Sequence, residues 1–121
     1  MNIVVVDYAN IHPDAEFPWL KTSKEYRWSQ HPTHGPAEMR EDCWRAHVLV
    51  TVATPIDADT LAGLPKVAYV IEAGNRALVD RAAAAARGIE IISLPDVAAS
   101  TPESACQQIA DALDALIERV G

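Results

Sequence analysis

Cysteine is scarce in this chain. Only Cys43 and Cys106 occur in 121 residues, too few for a disulfide framework, so a packed core has to hold the fold and free thiols in a reducing compartment are expected. Glycine is scarce as well. The five glycines, at 35, 63, 74, 88 and 121, are isolated and form no Gly-x-Gly-x-x-Gly. That excludes the usual dinucleotide cradle, in which glycines let the backbone approach a pyrophosphate at a helix N-terminus. Basic charge is short: ten Lys and Arg stand against seventeen Asp and Glu, for a net −7. No basic run or stripe appears, which argues against nucleic acid or an anionic membrane as a partner. The apolar runs are only strand-length, so none spans a bilayer. The first ten residues carry no basic n-region, and a cytoplasmic location is expected. Aromatics thin out too, for only Tyr69 lies beyond residue 45.

The residues present suit one globular domain, 1–121, with half of them apolar. A chain of this length buries roughly two thirds of its unfolded surface. Ile3 to Val6 is a continuous apolar, β-branched run and reads as a strand buried on both faces. A loop follows, then a short helix is expected from Pro13 to Leu20. Lys24 to Trp28 alternates weakly, as an edge strand does, and residues 29–36 are turn-formers. Pro36 opens a helix through Trp44. His47 to Val52 is a second buried strand. Asp57 is placed to cap a helix over 58–64, which Pro65 stops. Val67 to Ile71 is the next strand, and Gly74-Asn75 its loop. Leu78 to Arg87 is an alanine-rich helix ended by Gly88. Ile89 to Leu94 is the last strand, 95–102 a loop, and 103–120 a long helix with Thr101 as N-cap and Pro102 at its first position.

Strands and helices alternate throughout. The rhythm implies parallel strands joined by right-handed crossovers: an α/β, flavodoxin-like, doubly wound five-stranded sheet of order 2-1-3-4-5 in three layers. Ligands in such sheets sit beyond the carboxyl ends of the strands. Those ends carry Asp7 to Asn10, Thr51 to Thr54, Glu72 to Asn75 and Pro95 to Ser100.

A succession of landmarks resembles the D-isomer-specific 2-hydroxyacid dehydrogenases. It starts with Ile3-Val4-Val5-Val6-Asp7-Tyr8-Ala9-Asn10. Leu49-Val50-Thr51 follows, then Thr54-Pro55-Ile56-Asp57, Thr60-Leu61, Leu64-Pro65-Lys66, Val79-Asp80, the alanine-rich helix, Gly88-Ile89 and Pro95. The resemblance covers most of residues 1–106 and is most specific over 47–96. It implies the substrate-binding ("catalytic") domain of that family, without the NAD-binding Rossmann domain. The family's catalytic arginine, glutamate and histidine lie in that other domain, so no catalytic residue and no cofactor site are expected here, although full-length members use NAD. The family holds its substrate carboxylate on backbone N–H groups of a loop that maps onto Glu72, Ala73, Gly74, Asn75 and Arg76. The loop is one residue shorter here, and Glu72 brings an anionic side chain toward that place. Asn10, Thr51, Val52, Ala53 and Thr54 complete the expected substrate site, with Ala53 standing where many members have a basic residue.

The last helix carries one apolar stripe, Ile109, Leu113, Leu116, Ile117 and Val120, opposite Gln107, Gln108, Asp111, Asp114 and Glu118. It reads as a closing helix laid on the sheet, with a homodimer seam as the other use. On this reading the chain is a stand-alone substrate-domain homologue. It is expected to be redox-inactive by itself and to bind a small 2-keto or 2-hydroxy acid or a protein partner. The alternative is one subunit of a split dehydrogenase, with a separate Rossmann chain.

Other constellations carry less. His31, His34, Cys43 and His47 form an H-x-x-H…C-x-x-x-H pattern, but a proline loop and a strand start do not impose the convergence zinc needs, so no metal is expected. Cys106 near a helix start would be reactive only if exposed; small buried cysteines are commoner. Asp7 ends a buried strand as the acids of receiver domains do, yet Val52-Ala53 and Pro95-Asp96 stand where such a domain places its aspartate and lysine. Among the aromatics, Trp19 and Trp28 are expected to be exposed.

Overall fold

The apolar runs form strands because their β-branched residues fit a sheet covered on both faces. A computed structural model describes residues 1–120. The elements are β1 (Asn2–Val5), a 3₁₀ turn (Tyr8–Asn10), β2 (Arg27–Gln30), α1 (Pro36–Asp42) and β3 (Val48–Thr51). There follow α2 (Ala58–Ala62), β4 (Tyr69–Glu72), α3 (Arg81–Arg87), β5 (Glu90–Ser93), a second 3₁₀ turn (Pro95–Ala99) and α4 (Pro102–Val120). The five strands are all parallel, in the order β2-β1-β3-β4-β5. The α/β architecture and strand order expected from the sequence are those observed.

Strand alternation divides the core in two. Ile3, Val5, Val48, Val50 and Ile71 face α4, whose Ile109, Leu113, Leu116 and Ile117 are buried against them. Each such side chain contributes roughly 1.5–3 kcal/mol on leaving water. Val4, Val6, Leu49 and Val70 face the other way, onto Met39 and Cys43 at α1, Leu61 of α2 and Ala84 of α3. The α4 stripe is thereby used on the chain's own sheet, except at Val120, which is exposed. The expected cap is present: the Ser104 N–H donates to Thr101 Oγ1 at 3.2 Å.

Three local expectations need correction. No helix forms over 13–20; the chain runs there as an irregular strap. Pro18 disfavours helical geometry at Phe17, and α4 supplies a substitute set of hydrogen bonds. Asp114 accepts from the N–H groups of Lys21 and Thr22 at 3.0 and 3.1 Å, and Glu118 accepts from the Thr22 hydroxyl at 2.9 Å. Those two acids, opposite the apolar stripe, grip the strap. The edge strand lies at 27–30, three residues beyond the expected start, which puts Trp28 opposite Ile3 on the α4 side. The helix expected from Leu78 begins at Arg81, behind an Asp80 cap that accepts from Ala83 N–H at 2.9 Å. It ends at Gly88, whose φ of 68° is left-handed and suits glycine.

Replacing Asp114 with alanine is expected to cost about 1–2 kcal/mol in chemical denaturation. Amide exchange should speed up at Lys21 and Thr22 while the β3 amides keep their protection.

Candidate functional site

All five strands end at one edge, and the loops leaving that edge carry N–H groups that need acceptors. Asp7, fully buried at the end of β1, serves one of these loops. One carboxylate oxygen accepts from Val52 N–H at 2.9 Å. The other accepts from Ala53 N–H at 2.8 Å, Thr54 N–H at 2.9 Å, the Thr54 hydroxyl at 2.7 Å and the Asn10 amide at 3.0 Å. Thr51 donates its hydroxyl to the Thr54 carbonyl at 2.7 Å. The 51–54 loop is thus wrapped around an anion that belongs to the chain itself.

Glu72 does the same at the end of β4. It is 1% exposed and accepts from Leu78 N–H at 2.8 Å and Val79 N–H at 2.9 Å. Arg81 grips it with both guanidinium nitrogens, at 2.9 and 2.7 Å. Burial alone would push the carboxyl up, but the Arg81 fork and the two N–H bonds outweigh it and hold Glu72 below the usual carboxylate range. Its charge is spent on α3 and does not enter the ligand space, contrary to the sequence expectation.

Between these two supports lies an open cleft of about 440 Å³. Asn10, Val52, Ala53, Ala73, Gly74, Asn75 and Arg76 line it. Thr51, Thr54 and Glu72 do not; their polar atoms are turned to the internal bonds just described. The opposite wall is Val97, Ala98 and Ser100 of the second 3₁₀ turn, with Pro102 and Ala105 of α4. The sequence had marked 95–100 as a strand-end loop; Ile11, Pro102 and Ala105 came only with the fold, because nothing in a helix start announces which loop it will face. Trp19 is 89% exposed and lies outside the cleft. Among the described residues, the N–H groups of Gly74, Asn75 and Arg76 meet no acceptor, and Arg76 makes no ion pair. No carboxylate lines the cleft.

The remaining candidates separate cleanly. Cys43 is wholly buried, and burial, then Asp42, pushes its thiol up to about 12. Cys106 is buried too, its thiol raised by burial and by Glu103. Neither suits a nucleophile. His47 accepts from Asn2 N–H at 2.9 Å, away from the other histidines. His31 and His34, however, do meet, ring centroids 4.1 Å apart, and Asp42 joins them. Burial, then the neighbouring His34, lowers the His31 pKa. Trp28 is half-buried against Phe17, its indole donating to Gln30 at 2.9 Å.

No family model matches the chain, and no curated protein matches it. Among solved structures the chain is similar to an NAD-dependent formate dehydrogenase from Staphylococcus aureus, in complex with NAD, with a TM-score of 0.54 and 15% identity. The match covers 77% of this chain and 31% of that one, so this chain spans under a third of that enzyme. At this identity the likeness is one of fold. No described helix is long and apolar enough to cross a membrane.

Breaking the pair should be costly because Glu72 is buried, although the Arg81 side chain is half-exposed. Arg81→Ala leaves the Glu72 carboxylate with only its two N–H donors and is expected to lose about 2 kcal/mol in urea denaturation. The folded-state pKa of Glu72 is depressed, so its contribution is complete above the unfolded value, about 4.3, and fades as pH falls from there through the folded value. Glu72→Gln should therefore flatten that part of the acid limb of the stability curve. Both thiols should resist an aromatic disulfide reagent in the native protein and react once it is unfolded.

Proposed function

We propose that this chain is a binding module for a small carboxylate of the 2-keto or 2-hydroxy acid class, built on the substrate-domain fold of the D-2-hydroxyacid dehydrogenases. One observation carries the reading. In a chain of net charge −7, the cleft at the carboxyl edge presents Arg76, three unengaged N–H groups and no acid. Charge-assisted bonds from a guanidinium and backbone N–H groups are the chemistry that holds a carboxylate. The 52–54 loop contributes a wall and not donors, because Asp7 already occupies its N–H groups. The sequence resemblance and the likeness to a formate dehydrogenase of that family support the same assignment. The role assigned to the residues lining the cleft is to hold and orient the acid.

A second reading is favoured by how much of the solved neighbour the match leaves uncovered. That enzyme holds NAD and is covered over 31% of its length, so a partner chain bearing a nicotinamide-binding domain would complete a split dehydrogenase.

The test is an amide NMR titration with glyoxylate, pyruvate and hydroxypyruvate, with NADH added separately. Keto-acid shifts concentrated at 73–76 and 52–53 are expected, with none from NADH. Arg76→Ala should weaken binding about tenfold or more, since a hydrogen bond to a charged group contributes about 1.5–3 kcal/mol. No shift at millimolar acid would sink the reading.

A further inference from the structure

His31, His34 and Asp42 come from separate places in the chain: just past β2, just before α1, and the last residue of α1. Their ligand atoms all lie within 4.8 Å of one another. Each residue is independently anchored. The backbone of His31 is pinned to β1 by His31 N–H to Val5 C=O and Tyr8 N–H to His31 C=O, at 2.9 and 3.1 Å. Asp42 ends α1 between the wholly buried Met39, three residues before it, and the wholly buried Cys43. His34 is itself 7% exposed.

The decisive feature is the surroundings of the His34 ring. Its Nδ1 lies 3.3 Å from the Val6 carbonyl, and its Nε2 lies 3.0 Å from Asp42 Oδ2. Both neighbours are acceptors. A neutral imidazole has one N–H and one lone pair, so once Nδ1–H is given to the carbonyl, the Nε2 lone pair faces a carboxylate. Either a second proton on the ring or a metal cation at Nε2 resolves that opposition. A backbone carbonyl on the far ring nitrogen is also the support that fixes tautomer and orientation in metal-binding histidines.

We propose that His31, His34 and Asp42 form a binding site for one divalent transition metal ion of the zinc class. Two imidazoles and a carboxylate are borderline donors suited to such an ion. Tetrahedral ligation at bond lengths near 2.0–2.2 Å places ligand atoms about 3.3 Å apart. His34 and Asp42 are already close to that spacing, and His31, half-exposed and held by Ser29 Oγ at 3.0 Å, is the ring that has to turn. Solvent takes the fourth position, since Asp42 and the neighbouring Glu38 and Glu41 lie at the surface. Cys43 is outside the donor set because its side chain packs into the opposite core. The bound ion would clip the 31–35 turn to the end of α1.

The experiment is a titration of the metal-free full chain with Zn²⁺ by calorimetry, and with Co²⁺ by visible absorption. One ion per chain is expected, without a thiolate charge-transfer band. Loss of an outer-shell partner typically weakens a site about 10–100-fold, and His31→Gln or Asp42→Asn should do at least that. Both positions are partly or fully exposed, so these variants keep their fold even if His34→Ala does not. Zn²⁺ should raise the melting temperature of the native chain and not that of Asp42→Asn. His47→Gln and His12→Gln should bind as the native chain does. Absence of Zn²⁺ binding at millimolar metal, or binding that survives both His31→Gln and Asp42→Asn, overturns the proposal.

Discussion

A carboxylate buried at the end of the first strand organises the carboxyl edge of this sheet. In a parallel sheet every strand points its last residues at the same rim, and the departing loops bring unpaired N–H groups to it. Asp7 collects those of residues 52–54 on one side chain. Five donors converge on its two oxygens, which is enough to keep a desolvated charge where a lone one would be intolerable. The cleft next to it exists because that loop cannot fall inward. Glu72 and Arg81 perform the equivalent task on the other flank by fixing the start of α3.

This arrangement is what makes the proposed carboxylate site compatible with a chain of net charge −7. The two buried acids at the strand ends are consumed internally, Asp7 by three N–H groups, the Thr54 hydroxyl and the Asn10 amide, Glu72 by two N–H groups and the Arg81 guanidinium. The residues that line the space between the 3₁₀ turn and the 73–76 loop are apolar or neutral apart from Arg76. Net charge alone would have pointed the other way; the local field is set by which carboxylates are already neutralised.

The strand order and both core faces were readable because Ile3 to Val6, Val48 to Val50 and Val70 to Ile71 are β-branched or otherwise apolar runs that fit only a covered sheet. The strap over 13–26 was not readable. Its proline at the first helical position is a genuine start signal, and only the acids of α4, about ninety residues away in sequence, show what holds the segment instead. Glu72 was misjudged for a similar reason. An acid at a strand end looks like a ligand-facing group until the fold brings Arg81 round behind it. The meeting of His31 with His34 escaped because a proline-rich turn carries no period from which direction could be inferred, and Asp42 reaches them only through the length of α1.

Asp7 has one more consequence, which concerns entropy. An external anion that shaped the 52–54 loop would have to pay for its own immobilisation and for the ordering of the loop each time it arrived. Here the anion is covalently part of the chain, so that wall is ordered at any solute concentration. If an acid binds as proposed, it has only the 74–76 segment left to settle.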